Sequence, residues 1–299
     1  METKIYRLRF RNAHFGDGYL NTSVPTFTAS RLFSALCLEA LKNNCLKEWM
    51  TVAENDEFKI SDAFPYQEQP YLPVPVGEVA LKMDLRTLVE DNQANKAVRA
   101  LKFVPLDRLL DLLNGKVSAE ELLKAEMNLA QQTVLMKKGA DPYEVGVTEY
   151  RSSLYVLASS DLLFEQLMTS LQFSGLGGKR TSGYGRFEME ILPVPSLMGE
   201  MLADDKADKQ VLLTTSLPND NELGLVVDDA NYRLVKSSGF TYSPDTSEQL
   251  RKEDLYKFTS GSVFTRRYAG VIADVRPNGF AHPVWNYAKG MFYGLEAAK

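Results

Sequence analysis

Apolar residues recur along this chain in two rhythms, and each rhythm locates elements. Residues 4–10, KIYRLRF, set Ile5, Leu8 and Phe10 among basic and aromatic neighbours, with one break in the alternation, and predict a first strand. A loop rich in turn formers, RNAHFGDGYLNTSVPTF, follows. Leu32, Phe33, Leu36, Leu38, Ala40 and Leu41 then return at helical spacing, so RLFSALCLEALKNN predicts a helix with Ser30 as its N-cap. Farther on, SSLYVLAS predicts a strand and SDLLFEQLMTSLQFSG an amphipathic helix, capped by Ser160 or Asp161 and ended by Gly175. YGRFEMEIL alternates again and predicts the strand after it.

The stretch between these two blocks is less regular. PYQEQPYLPVPVGE carries four prolines, which argues for a rigid crossing segment rather than a central strand. Residues 79–103 hold Lys82, Arg86, Lys96, Arg99 and Lys102 around a middle with little apolar anchorage, and predict a protruding, partly mobile excursion. VPLDRLLDLLNGK predicts a short helix ending at Gly115, and SAEELLKAEM another, with Ser118 and Glu121 spaced as in a capping box. Strand, helix, long insertion, strand, helix, glycine loop, strand is the order of a ferredoxin-like βαββαβ domain with an insertion, here residues 1–200. PVPSLMGEMLADDKAD reads as a junction. KQVLLTTSLP, YRLVKSSGFTY, GSVFTRRYAGVIADV and PVWNYAKGMFYGL then predict a second, strand-dominated domain over residues 210–299. The fold class is α+β.

Composition narrows the function classes. With 299 residues, 44% hydrophobic and 24% charged, the chain can bury a sizeable core without disulfide or metal staples. Cys37 and Cys45, eight apart in a helix-like segment, would sit roughly 12 Å from each other, too far for a disulfide. The cytoplasm is the expected compartment. No apolar run approaches the length of a membrane span, so no membrane partner is expected. A net charge of −5 excludes nucleic-acid binding by global attraction, so any polyanion site must be local.

One stretch is locally basic: FSGLGGKRTSGYGRF, residues 173–187, carries Lys179, Arg180 and Arg186 with no acid before Glu188. It is not a Walker A loop, because Gly178-Lys179 is followed by Arg180 and Phe173 stands where the first glycine belongs. Nor is it a Rossmann fingerprint, since Arg180 occupies the third glycine position and the loop follows a helix. Two readings remain: a solvated turn, or a phosphate-backbone clamp. In the clamp, Gly177 and Gly178 admit close approach of a chain, Lys179, Arg180 and Arg186 supply charge, Thr181 and Ser182 supply hydroxyls, and Tyr184 offers a ring for base stacking.

GLGGKRTSGYGRF resembles the glycine-rich loop of the RAMP superfamily of CRISPR RNA-binding proteins, which are built from ferredoxin-like, RRM-related domains. HFGDGYL, SRLFSALCLEAL, KFVPLDRLLDLLNG, SSLYVLAS, GSVF and AHPVWNYAKGMF together resemble the fourth-subunit family of the type III-A (Csm) interference complex. The match runs from end to end. This resemblance implies two RAMP domains and a non-catalytic subunit that grips the 5′ handle of the crRNA. It implies as partners the large signalling and nuclease subunit and an adjacent RAMP backbone subunit. It also implies a thumb on the guide, for which the excursion from Lys82 to Lys102 is the candidate. In that family an Asp is frequent where Arg31 stands, which adds Arg31 as a phosphate contact.

The remaining chemistry is sparse. His14 and His282 are the only histidines, and processing enzymes of the superfamily can use an N-terminal histidine as acid or base. His14 is therefore open to three roles: a repeat-cleaving ribonuclease group, an RNA contact, or packing. Two Cys and two His assemble no zinc site, and the acidic pairs Asp204-Asp205, Asp228-Asp229 and Glu253-Asp254 read as solvated charge, so neither metal nor cofactor is expected. Arg266 and Arg267 would face opposite sides of a strand, so at most one meets RNA. Tyr287 and Phe292 are stacking candidates that strand sequences more often bury. A protein-binding scaffold whose loop meets another subunit is the remaining class.

Overall fold

The computed structural model describes residues 1–79, 92–138, 141–241 and 250–296. Its centre is an antiparallel sheet whose strands are drawn from across the first two hundred residues. The strands are β1 (Thr3–Phe10), β2 (Asn12–Ala13), β3 (Phe64–Gln67), β4 (Gln69–Pro73), β5 (Phe103–Pro105), β6 (Ala130–Lys137), β7 (Tyr143–Tyr150), β8 (Ser153–Ser159) and β9 (Phe187–Leu192). Six of them pair in the order β5-β4-β3-β8-β1-β9. The helices between them are α1 (Ala29–Lys42), α2 (Leu46–Glu54), α3 (Asn92–Ala100), α4 (Leu109–Leu113), α5 (Ala119–Met127) and α6 (Leu162–Ser174). Thus β1, α1, β3, β8, α6 and β9 follow one another as strand, helix, strand, strand, helix, strand, and the strands lie side by side as β3-β8-β1-β9.

Strand alternation explains why this sheet is buried on both faces. Along β8, Leu154, Val156 and Ala158 join Tyr6 and Leu8 of β1 under α1, α2 and α6. Tyr155 and Leu157, pointing the other way, join Ile5 and Phe64 in a second core. That second core is completed by Val211, Tyr293 and Leu295 from the carboxy-terminal strands and Met198 from a helix, so both halves of the chain share it.

The carboxy-terminal part contains helices α7 (Ser196–Ala203) and α8 (Asp220–Val226) and strands β10 (Lys209–Leu212), β11 (Leu234–Ser237), β12 (Leu255–Phe258), β13 (Val263–Phe264), β14 (Gly270–Asp274), β15 (Trp285–Lys289) and β16 (Phe292–Leu295). They form a three-stranded sheet, β13-β10-β16, and the ribbons β11-β12 and β14-β15. The stretch expected to be a junction is therefore helical at α7. Two of the long strands expected here are broken, between Phe264 and Gly270 and between Lys289 and Phe292.

Several local expectations hold. Asp161 caps α6, accepting from the Phe164 amide at 3.0 Å, and Gly175 ends it at φ 77°. Ser118 accepts from the Glu121 amide at 3.2 Å at the start of α5. Others need correction. Helix α1 begins at Ala29 after Thr28, and its first amide donates at 2.8 Å to Asp62, a residue thirty-three positions away, rather than to Ser30. Asp62 also accepts from the backbone and hydroxyl of Thr215, so one buried carboxylate joins the helix start to the carboxy-terminal half. The proline-rich segment is a hairpin, β3 and β4, turned by Glu68 at φ 62°. Both strands are short, which limits what each proline removes from the ladder.

Candidate nucleic-acid interface

The glycine loop folds back on the amino-terminal loop rather than standing free. The Gly178 amide donates to the His14 carbonyl at 2.9 Å, the Gly185 amide to Asn12 at 3.0 Å, and the Leu176 amide to Gly185 at 2.8 Å. Within the loop, Ser182 and Gly183 donate to Lys179 and Arg180. Five amides are thereby consumed, so charge at this loop has to come mainly from side chains. The close approach that Gly177 and Gly178 permit is to the protein itself: a Cβ at Gly177 would lie 2.6 Å from the His14 carbonyl oxygen, and one at Gly178 2.6 Å from the His14 ring. Lys179 takes a left-handed φ of 54°, and a single turn over Arg180–Ser182 presents Thr181 and Ser182 to solvent.

His14 is the pivot of this arrangement. It is buried, and its Nδ1 donates to the Gly146 carbonyl at 2.7 Å, since a carbonyl can only accept. The ring thus links the glycine loop to β7 and packs between them. Arg31 is partly buried as well. Its guanidinium donates to the Gly16 carbonyl at 2.5 Å and lies 5.7 Å from the Phe15 ring centroid, and burial lowers its pKa. It braces the loop that carries His14.

Sequence patterning missed the neighbour of this loop. β6 and β7 form a long hairpin whose outer strand, β6, leaves Val134, Leu135 and Met136 open to solvent, as does Tyr143 at the start of β7. Lys179 from the glycine loop places its ammonium 4.5 Å from the centroid of the Tyr143 ring. Tyr184, expected as a stacking platform, is instead buried with Val145 and Val147, and its hydroxyl accepts from Lys137 at 3.2 Å. Thr181, Ser182 and Arg186 are exposed on the rim, with Lys179 and Arg180 half-buried beside them.

The described basic residues of the expected excursion, Lys96, Arg99 and Lys102, do not join them. Lys82 and Arg86 lie outside the described residues. Lys96 and Arg99 are exposed on α3, whose Ala97 sits in the core, and Lys102 leads into β5 at the sheet edge opposite β9. Five strand spacings, roughly 24 Å, separate β5 from the strand that the glycine loop enters. Among the carboxy-terminal candidates, Arg266 is exposed, whereas Arg267 donates to Gln210, to the Leu202 carbonyl and to the Asp204 carbonyl. Neither lies in a strand, so the argument for opposite faces does not apply, and Arg267 is a structural clamp. Tyr287 and Phe292 are buried in the core.

The structure also groups Arg186 with four arginines that the sequence reading passed over. Where the second face of the sheet emerges beyond the carboxy-terminal strands, a groove of about 680 Å³ opens, lined by Arg7, Arg9, Arg11, Arg151 and Arg186. The signal was present in KIYRLRFRN, since arginines two apart on a strand share a face.

With this geometry in place, comparison with known proteins identifies the chain. Residues 205–295 match the family model described as the CRISPR Csm4 C-terminal domain. A Csm4 protein of Streptococcus thermophilus is 43% identical, over 99% of this chain and 100% of that one. One from Mycobacterium tuberculosis (strain H37Rv) is 34% identical, over 99% and 98%. The fold is shared with a chain of the Csm3-Csm4 subcomplex of the type III-A CRISPR-Cas interference complex, at TM-score 0.66 and 16% identity over 98% of this chain and 100% of that chain. A chain of the Csm1-Csm4 cassette bound to cA4 aligns at TM-score 0.61 and 16% identity over 99% of both. The class is a CRISPR protein of the type III-A Csm system. Within it, the chain belongs to the Csm4 family.

Proposed function

We propose that this chain is a non-catalytic crRNA-binding subunit that clamps the 5′ handle of the guide. The observation that carries the reading is the glycine loop fastened to His14 and Asn12, which holds Lys179, Arg180 and Arg186 at one rim beside an exposed hairpin. A backbone already satisfied by its own protein holds its basic side chains in place at little further entropic cost on binding. Sequence preference would come from base edges of an unpaired strand, which A-form duplex hides.

The division that goes with this reading is two ferredoxin-like RAMP domains, residues 1–200 and 210–299, with the first carrying the glycine loop. The strand order β3-β8-β1-β9 supports it for the first domain. The exposed hairpin β6-β7, adjoining the loop, supports a thumb there in preference to the α3 region. Solved complexes named for Csm3 with Csm4 and for Csm1 with Csm4 support an adjacent backbone subunit and the large signalling and nuclease subunit as partners. The ribonuclease reading draws no support from His14, which is buried against the loop.

Replacing both Lys179 and Arg180 by Ala tests the clamp. The expected result is weaker handle binding and a flatter dependence of affinity on salt, by about 0.7 in log–log slope per lost phosphate contact. Unchanged RNA occupancy with loss of partner subunits would instead make the loop a protein contact.

A further inference from the structure

The arginine groove is a second basic surface, distinct in its residues from the tip of the glycine loop. It forms because the carboxy-terminal strands cover the Ile5 end of the sheet's second face and leave the Arg7 and Arg9 end open. Five arginines line it against two glutamates, Glu68 and Glu188, in a chain whose net charge is −5. Such a reversal of sign inside a concave surface focuses positive potential there.

Its charges are not all spent internally. Arg7 is paired with Glu190 and Arg151 donates to Gln131 at 2.8 Å, whereas Arg9 lies 3.6 Å from Glu188 with both side chains largely exposed, a weak pair that leaves its guanidinium open to an anion. Arg11 and Arg186 are exposed, and among the described residues their guanidinium groups have no ion-pair or hydrogen-bond partner. Aromatic surface is interleaved with this charge: Tyr66 stacks beneath the Arg7 guanidinium at 5.4 Å, and Phe173, at the rim, is 76% exposed. Ser152 and Ser153 add hydroxyls. Charge alone would suit an acidic peptide, whereas charge beside the open Phe173 ring suits phosphates joined to bases.

The groove is also continuous with the loop. Arg186 and Phe187 line it and follow Gly185, whose amide is tied to Asn12 next to Arg11. A strand crossing the loop rim therefore reaches the groove without leaving the protein surface. The volume of about 680 Å³ falls in the range of ligand-sized pockets.

We propose that this groove binds a stretch of single-stranded RNA: Arg9 and Arg11 take phosphates while Phe173 stacks on a base. This rests on the RNA-binding reading above and extends the footprint from the loop tip onto the open sheet face.

The test titrates the full-length chain into a fluorescein-labelled 12-nucleotide single-stranded RNA carrying the handle sequence, over a series of KCl concentrations. Wild type is compared with Arg9→Ala/Arg11→Ala, with Phe173→Ala and with Lys179→Ala/Arg180→Ala. Losing two phosphate contacts should weaken binding at least about tenfold and reduce the log–log salt slope by about 1.4. Phe173→Ala should weaken binding with the slope unchanged, and Arg9→Lys/Arg11→Lys should keep the wild-type slope. If the groove variants bind like wild type while the loop variant fails, the groove proposal is overturned and the clamp stands. If wild type shows no RNA binding, both fall. If the groove variants keep RNA but lose a co-purified subunit, the groove takes an acidic protein and the proposal is overturned. Far-UV circular dichroism and thermal midpoints are run on every variant; a groove variant that does not fold is replaced by the single Arg11→Glu change, at a side chain without internal partners.

Discussion

Nδ1 of His14 lies 2.7 Å from the carbonyl oxygen of Gly146, and that bond adds a side-chain link to the β2-β7 pairing that couples the amino-terminal loop to the long hairpin. Because the same ring fills the space beside Gly178, it supports three segments at once. His14→Ala removes the ring and leaves the Gly146 carbonyl without its donor, which should cost about 1–3 kcal/mol. The expected readout is a thermal midpoint lower by several degrees, with RNA affinity reduced only as far as the loop loosens. An unchanged midpoint together with lost RNA binding would make His14 a direct contact.

Two glycines of the loop should respond very differently to the same substitution. A Cβ at Gly185 would lie 2.0 Å from the Leu176 carbonyl oxygen, at a φ of 79°, so Gly185→Ala should prevent the loop from closing and yield little soluble protein. At Gly183 a Cβ meets nothing within 4 Å, and only the φ of 87° is unfavourable. Gly183→Ala should therefore fold, at a cost of about 1–2 kcal/mol. Equal behaviour of the two variants in urea unfolding would contradict this loop geometry.

Arg267 holds the turn between α7 and β10 through Gln210 at 2.6 Å and the carbonyls of Leu202 and Asp204. Arg267→Ala should destabilise by about 3 kcal/mol while leaving the salt slope of RNA binding unchanged. Lys in its place should not restore stability, because one ammonium cannot reach three acceptors arranged for a planar fork. A stable Arg267→Ala protein with a reduced salt slope would return Arg267 to the RNA contacts.

Lys289 is buried, donating to the Ala53 and Asn55 carbonyls, and burial pushes its pKa down to about 8. Between that value and the ordinary lysine value, the unfolded chain holds a proton that the folded chain has released. Stability therefore rises with pH from about 8 toward 10. Lys257, likewise lowered by burial to about 8, adds to the rise. Buried phenols such as Tyr6 and Tyr293, raised by burial, turn it downward above about pH 10, where the unfolded chain loses protons that the folded chain keeps. Lys289→Met should flatten the rise, removing on the order of 2–3 kcal/mol of its amplitude. Urea midpoints at pH 8, 9 and 10 check it; an unaltered profile would assign the rise to other groups.

How much of this was legible in the sequence depended on whether the deciding contact was local. Asp161 and Gly175 bound α6 because cap and terminator act within a turn of the helix they serve. The start of α1 was misplaced because its partner, Asp62, is distant in sequence. The hairpin β3-β4 was hidden by its prolines and by a turn at Glu68, a residue type that gives no turn signal. The hairpin β6-β7 left no amphipathic rhythm on its outer strand, because most of that strand faces solvent. In the interface, Lys179 and Arg186 were found through composition, whereas Arg7 and Arg9 were read only as part of a strand and Arg11 only as part of the loop after it. Their spacing marks a shared face, but the groove itself exists because the carboxy-terminal half stops short of that end of the sheet, a distant packing event that residues 4–12 do not record.

The central claim is that this chain grips one constant RNA end. The most direct measurement is to purify the tagged chain gently from cells carrying its native operon and to sequence the RNA that accompanies it. The account predicts short RNAs sharing a single 5′ end, depleted when Lys179 and Arg180 are both Ala. A random collection of RNA, or none, would contradict it.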